Sequence, residues 1–149
     1  MTTLVVDASA YLPMILLGKV PESLSQFELV GPPLLWSETV SSLREGVWRG
    51  AIDPQLAAAA LLRITSLGVV EKAPSELLAE AYRLAGRLGW AKTYDVEYVA
   101  LATLLSAQLL TRDARLRRGA VRLVTFFDPE RAPPTTGPED EAAQPSDDG

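Results

Sequence analysis

The chain has 149 residues, is 48% hydrophobic and carries a formal net charge of −5, values that suit one domain with a buried core. It contains no cysteine and no histidine, which excludes disulfides, thiol catalysis, Ser-His-Asp chemistry and ordinary Cys/His zinc sites. Any metal bound here would have oxygen ligands, which Mg²⁺ and Mn²⁺ prefer.

The apolar segments are short. The longest, 10–17 and 56–62, fall below the roughly 18 residues that a membrane span requires. The N-terminus lacks a basic region and has Asp7 inside its first apolar stretch, so we do not expect a secretory signal. We expect a cytoplasmic protein with no membrane partner.

Acidic residues are concentrated at the C-terminus. Residues 1–127 hold 12 acidic and 13 basic residues, and seven acids follow from Asp128 onward with Arg131 as the one base. From Pro129 the composition changes to Pro, Thr, Gly, Ala and acids, which is typical of disorder. We therefore expect one domain over 1–128 and a disordered acidic tail over 129–149.

Capping residues and apolar runs predict alternating strands and helices. In the first half they predict strand 3–6, helix 9–17 ended by Gly18, a weak strand 27–30, a helix from Ser37 as N-cap to Arg49, and a helix from Pro54 ended by Gly68. In the second half they predict strand 69–72, helix 75–89, a helix from Thr93 or Tyr94 to 107, strand 109–111, a helical turn 114–118 and strand 121–126. This order predicts an α/β fold with a mostly parallel sheet of about five strands and helices on both faces.

Four carboxylates stand in otherwise apolar sequence, where a buried charge is costly unless something compensates it. Asp7 and Asp113 follow predicted strands, and Glu38 and Asp95 lie in predicted first helical turns. All four positions belong to the carboxyl edge of a parallel sheet, where ligands bind in such folds. We therefore expect the four acids to face one cleft.

Two electrostatic effects oppose each other in such a cluster. Helix N-termini favour the ionised forms of Glu38 and Asp95 by roughly 0.3–1 kcal/mol each. Repulsion between carboxylates in near contact costs roughly 4 kcal/mol per pair at intermediate dielectric. Repulsion is larger, so we expect raised pKa values without a cation and a reversal when Mg²⁺ binds.

A carboxylate-bound cation suits hydrolysis of phosphodiesters, because it lowers the pKa of a bound water and stabilises the negative charge of the transition state. With no histidine available, a carboxylate must orient or deprotonate the water. Five arginines surround Asp113 and could contact a nucleic-acid backbone. They are Arg112, Arg115, Arg117, Arg118 and Arg122.

Four motifs occur in an order that resembles the PIN-domain ribonucleases, particularly the VapC-type toxins of bacterial toxin–antitoxin pairs. They are Val-Val-Asp7-Ala-Ser9, Ser37-Glu38-Thr39-Val40, Thr93-Tyr94-Asp95-Val96-Glu97-Tyr98-Val99-Ala100-Leu101-Ala102, and Leu110-Thr111-Arg112-Asp113-Ala114-Arg115-Leu116. The resemblance covers about residues 3–127. The third and fourth motifs are the specific ones.

The resemblance implies a PIN-like three-layer fold and an endoribonuclease that depends on Mg²⁺ or Mn²⁺. It implies that the metal ligands are Asp7, Asp95 and Asp113, and that Glu38 is tied to the metal or its waters as the fourth catalytic acid. Ser9 and Thr111 would support the site. The implied partners are RNA, a VapB-type antitoxin and a second copy in a homodimer. For RNA contact we select Arg112, Arg115 and Arg118.

Each acid also has a purely structural explanation. Asp7 suits a helix cap, Glu38 and Asp95 suit favourable first-turn charges, and Asp113 suits a turn. Glu97 is interpreted as a surface charge or as peripheral to the site. The apolar stretches 12–17 and 56–62 could be buried, or could form surfaces for a dimer or an antitoxin.

Other functions fit less well. A phosphotransfer domain of the haloacid-dehalogenase kind needs a second acid where this chain has Ser9, and a receiver domain needs a late lysine, whereas the last lysine here is Lys92. The alternative that stays open is a catalytically silent PIN-like module that binds RNA or a protein. For the nuclease we expect Asp7→Ala or Asp95→Ala to abolish RNA cleavage and to leave the fold intact or slightly stabilised.

Overall fold

Four strands and six α-helices make up the part of the chain that the computed structural model describes, residues 1–131. The strands are β1 (Thr2–Val6), β2 (Phe27–Gly31), β3 (Val70–Glu71) and β4 (Gln108–Leu110). The helices are α1 (Ala8–Leu17), α2 (Leu34–Trp48), α3 (Pro54–Leu62), α4 (Leu77–Leu88), α5 (Tyr94–Leu104) and α6 (Ala114–Gly119), with a 3₁₀ helix at Glu22–Leu24. Most of the predicted acidic tail, from residue 132 on, lies outside the described residues.

The strands form one parallel sheet in the order β3-β2-β1-β4. Right-handed crossovers in this order place α1, α2 and α3 on one face and α4 and α5 on the other. The packing agrees, because α1 contacts α2 and α3, whereas α5 contacts α4, β1 and β4. The predicted fold class is confirmed, with four strands in place of about five.

The predicted fifth strand, 121–126, is the difference. After α6 the chain continues in turns, with the Leu123 amide bonded to the Ala120 carbonyl at 2.9 Å. It reaches the sheet only through one parallel bridge between Phe126 and Leu109. The β-branched residues of this segment suggested a strand, but its backbone groups are partly used by the turns and pair with β4 only at the end.

Helix α2 begins earlier than predicted. Pro33 occupies the N-cap position and Leu34 is the first helical residue, as suits proline at a helix start. The Ser37 hydroxyl donates to the Leu34 carbonyl at 3.2 Å and so does not cap the helix. Glu38 is therefore the fifth residue of α2, and its predicted place in the first turn was wrong.

The core lies between the sheet and both helical layers. Val5, Val30 and Leu109 of three neighbouring strands are fully buried, as is most of the apolar face of α5. Within residues 1–131 no helix has the length and apolar character needed to cross a bilayer. Burial of the two apolar stretches is incomplete, because several leucines at their ends are exposed. They are Leu17, Leu56, Leu61 and Leu62.

Candidate active site

Asp7 and Asp113 lie just beyond the carboxyl ends of two neighbouring strands, β1 and β4. The connections that follow these two strands run to opposite sides, which makes this point a switch point of the sheet. Strand β1 leads to β2 on one side, and β4 lies on its other side. The crevice at such a switch point is where parallel α/β sheets bind ligands. The Asp7 amide donates to the Leu110 carbonyl at 3.2 Å, which holds the two strand ends together.

The Asp7 carboxylate is buried, with 5% of the residue exposed, and three donors satisfy it. Its Oδ1 accepts from the Ser9 hydroxyl at 2.6 Å and from the Ala10 amide at 3.0 Å, and its Oδ2 accepts from the Thr111 hydroxyl. The Ala10 bond makes Asp7 the N-cap of α1. Asp7 is therefore a helix cap, as its structural explanation expects. The cap uses only one of the two carboxylate oxygens, so it does not explain the contact of the other with Thr111.

Ser9 and Thr111 connect Asp7 to the loop after β4. Each hydroxyl has one hydrogen, and both hydrogens point to Asp7, so the 3.2 Å contact between Ser9 Oγ and Thr111 Oγ1 carries none. The free lone pairs accept backbone amides instead, from Arg112 to Ser9 at 2.9 Å and from Asp113 to Thr111 at 3.0 Å. The two small polar side chains thus hold Asp113 in place relative to Asp7.

Asp113 is the N-cap of α6. Its Oδ1 accepts the amides of Arg115 at 2.9 Å and Leu116 at 3.2 Å. Its Oδ2 has no hydrogen-bond donor among residues 1–131. One oxygen of a half-buried carboxylate therefore stays available at the carboxyl edge of the sheet.

Glu38 and Asp95 approach from opposite helical layers. Asp95 lies in the first turn of α5, as predicted. Glu38 is half-buried on α2, and its Oε1 accepts a hydrogen bond from the Tyr98 hydroxyl at 2.5 Å. Neither acid forms a salt bridge among residues 1–131.

Burial and mutual repulsion raise the pKa of three of these acids. For Asp7 the largest cause is burial, partly offset by its hydrogen bonds, with repulsion from Asp113 added. Burial is also the largest cause for Glu38, whose pKa the charges of Asp95 and Asp7 raise further. Burial and Asp113 raise the pKa of Asp95. The direction agrees with the sequence-based expectation, but burial exceeds repulsion as the cause.

Two residues outside the predicted set belong to this environment. Glu97 is half-buried, burial raises its pKa, and its charge acts on Glu38, so it is peripheral to the site and not a surface charge. Tyr98 lies in the third sequence motif, but no function was predicted for it from the sequence. Its position three residues after Asp95, on the same helical face, was the signal that could have identified it.

The carboxylate oxygens of the four acids are the type of ligand atom that a hard cation such as Mg²⁺ prefers. The four acids supply only oxygen, and no lysine or arginine forms a salt bridge with them in residues 1–131. As the side chains stand, however, no three acids of this part of the chain converge closely enough to hold one ion between them. A cation held by three of these acids would therefore need them to move closer together.

The arginines near Asp113 contact different parts of the protein. Arg115 lies with its guanidinium 5.6 Å from the Trp90 ring centre, and its charge lowers the pKa of Asp95. Arg117 instead donates to the Phe127 carbonyl at 3.3 Å. Arg118 lines an open groove beside Val121 and Phe126, together with Arg117. Of the arginines selected for RNA contact, Arg115 is therefore the one whose charge reaches the acids.

Comparisons with known proteins agree with this architecture. Three solved structures share the fold at low identity. PAE2754 from Pyrobaculum aerophilum is 24% identical with a TM-score of 0.64, over 87% of this chain and 90% of that one. VapBC-1 from nontypeable Haemophilus influenzae is 15% identical with a TM-score of 0.59, over 87% and 100%. VapC20 from Mycobacterium tuberculosis, a sarcin-ricin loop cleaving toxin, is 17% identical with a TM-score of 0.55, over 84% and 99%.

A search of curated protein sequences finds no match. The profile of the PIN domain matches residues 4–121, which is most of the chain and includes all four acids, Ser9 and Thr111. The chain therefore belongs to the PIN domain family.

Proposed function

We propose that the protein is a metal-dependent endoribonuclease, the toxin of a VapBC-type toxin–antitoxin pair. One observation carries this proposal: Asp7 and Asp113 are held together at the switch point of the sheet, and Glu38 and Asp95 add negative charge that no salt bridge offsets among residues 1–131. Burial raises the pKa values of Asp7, Glu38 and Asp95, so their ionised forms are unfavourable where they lie, and this supports a functional reason for the group. The nuclease fold of VapC20 is consistent with RNA as the substrate.

Asp7, Asp95 and Asp113 would hold Mg²⁺ or Mn²⁺. The bound cation would supply Lewis acidity and a water of lowered pKa. Ser9 and Thr111 keep Asp7 oriented through its two oxygens, and the amide of Asp113 is fixed by Thr111. These bonds reduce the reorganisation that ligand binding would otherwise need.

Glu38 is the acid best suited to take a proton from water. Burial raises its pKa, which moves it toward the range in which a general base is effective near neutral pH. Arg115, which is exposed and close enough to Asp95 to affect its pKa, would contact the phosphate backbone of the RNA. Arg112 and Arg118 would contact it farther along.

The partners follow from the same proposal. An antitoxin of the VapB type would cover the cleft, and a second copy of the chain would form a homodimer. Exposed leucines of α3, Leu56, Leu61 and Leu62, offer apolar surface for one of these contacts. The nuclease domain would comprise residues 1–128, with 129–149 as an acidic tail. Acting on cellular RNA would place the protein in the cytoplasm.

The test is cleavage of a panel of structured RNAs by purified protein free of partner, with Mg²⁺, with Mn²⁺ and with chelator. Asp95→Asn removes one charge from the site with little change in shape. Asp53→Asn is the matched control, because Asp53 caps α3, a helix that carries none of the four acids, and asparagine also caps well. Metal-dependent cleavage that only Asp95→Asn abolishes is the expected result. Folded protein that cuts under no condition would favour the silent binding module.

A further inference from the structure

The Tyr98 hydroxyl lies beside the acids of the candidate site and contacts one of them, Glu38. It lies on α5 three residues after Asp95, and only 1% of the residue is exposed. Its hydroxyl donates to Glu38 Oε1 at 2.5 Å. Burial and the neighbouring charges of Glu38, Asp7 and Asp95 raise its pKa, so the hydroxyl keeps its proton and stays a donor.

The bond joins the two helical layers across the carboxyl edge of the sheet. Glu38 is on α2, which packs with α1 and α3, whereas Tyr98 is on α5, which packs with α4 and the sheet. Among residues 1–131 Glu38 has no other hydrogen-bond donor. A half-buried glutamate with one donor can turn to solvent when that donor is removed.

The tyrosine ring is fixed while the glutamate is flexible. A buried ring on a helix has few accessible rotamers, because close packing holds it. A glutamate has three side-chain torsions and loses more rotamer freedom when it is fixed. The rigid partner therefore sets the orientation of the flexible one.

We propose that Tyr98 is a positioning residue of the nuclease site, holding the Glu38 carboxylate toward Asp7 and Asp95. This inference rests on the proposed function and adds a residue to it. Tyr98 acts through Glu38 and contacts no substrate. Phenylalanine would keep the packing and remove only the hydrogen bond.

The first measurement is the kinetics of Tyr98→Phe. We expect kcat to fall about ten- to a hundred-fold, because displacement of a catalytic group by about 1 Å has effects of this size. KM for RNA should change less than about two-fold, since no binding contact is lost. Tyr11→Phe is the matched control: Tyr11 is also fully buried, but its hydroxyl donates to the Ile64 carbonyl. That variant should keep the wild-type kcat.

The second measurement needs neither metal nor RNA. Stability of the metal-free protein is measured by urea unfolding for Tyr98→Phe, Glu38→Ala and the double variant. Tyr98→Phe should destabilise the protein when Glu38 is present. In the Glu38→Ala background it should have no effect or stabilise, because the tyrosine hydroxyl would otherwise be buried without a partner.

The outcomes separate the two proposals. An active wild type with Tyr98→Phe at wild-type kcat, or no more impaired than Tyr11→Phe, would overturn the positioning role and leave the nuclease intact. Equal destabilisation by Tyr98→Phe in both backgrounds would overturn it as well. A wild type that cuts no RNA would overturn the proposed function, and the catalytic role of Tyr98 with it.

Discussion

The Thr111 hydroxyl donates a hydrogen bond to Oδ2 of Asp7, joining residues that are 104 positions apart in the chain. Both side chains are buried, and each follows a strand of the sheet. The second Asp7 oxygen serves Ser9 and the α1 cap. Asp7 therefore has a structural task and a proposed catalytic task at the same time, whereas Asp95 caps no helix.

This difference predicts opposite effects of two alanine substitutions on stability. Asp7→Ala should abolish cleavage and destabilise the fold by about 1 kcal/mol, because loss of the α1 cap and of the acceptor for the buried Thr111 hydroxyl outweighs removal of a carboxylate whose pKa burial raises. Asp95→Ala should abolish cleavage and slightly stabilise the metal-free protein, since it removes an acid whose ionisation burial and Asp113 make unfavourable. Urea unfolding at neutral pH with chelator, beside an RNA cleavage assay, measures both.

From the sequence alone we expect Asp7→Ala to leave the fold intact or slightly stabilised. The observed α1 cap reverses this, and we now expect the variant to be less stable than the wild type. Asp7→Asn is the informative control, because asparagine can cap α1 without the charge. It should lose cleavage while keeping most of the stability. Full cleavage by either Asp7 variant would contradict the assignment of this residue to the site.

The stability of the metal-free protein should depend on pH through Glu38 and Asp95. Their folded-state pKa values are raised above ordinary values of 4.5 and 3.8, so the folded state binds more protons than the unfolded state in the range above these values. The stability they contribute is complete below the unfolded pKa and is lost as pH rises through the folded pKa. Millimolar Mg²⁺ should restore part of it at neutral pH.

The measurement compares wild type with the Glu38→Gln, Asp95→Asn double variant over pH 4 to 8. Groups common to both proteins, such as the Glu80–Arg83 ion pair, cancel in the difference. Wild type should lose stability relative to the double variant as pH rises. A difference that stays constant across this range would show that these two carboxyls are not perturbed.

The predictability of the fold followed the strength of local signals. Asp53-Pro54 marked the start of α3, and Gly89, with a positive φ of 70°, ends α4 as predicted. The start of α2 was missed because Ser37, a good capping residue, follows Pro33, a good first-turn residue, and the sequence does not show which is used. Strand 121–126 was wrong because β-branched residues also occur in turns next to a sheet.

The candidate site was predictable in its acids and not in its connections. Asp7 and Asp113 could be located because a polar residue at the end of an apolar strand is conspicuous. The bond from Tyr98 to Glu38 depends on how two helical layers meet, which no local pattern encodes. The same holds for Arg115 and Arg117 of α6, because the Trp90 ring and the Phe127 carbonyl that they contact belong to other segments of the chain.

Arg115 should contribute more to RNA binding than Arg118. Its guanidinium stacks near Trp90, and its charge acts on Asp95. In an Asp95→Asn background, which binds without cutting, Arg115→Gln should weaken RNA binding and reduce the slope of log affinity against log salt by about 0.7 to 1. Arg118→Gln, one turn away on the same short helix, is the control and should change the slope less.

The acidic tail should oppose RNA binding through its charge. Residues 132–149 contain five acids and no base, whereas residues 1–131 contain 14 of each sign. A chain ending at residue 131 should bind RNA more tightly at low salt, and the gain should disappear near 1 M salt, where the screening length falls to about 3 Å. Fluorescence anisotropy with the non-cleaving Asp95→Asn variant measures this directly. A full-length variant in which the five acids become Asn or Gln should behave like the truncated chain; if it binds as the wild type does, charge is not the cause.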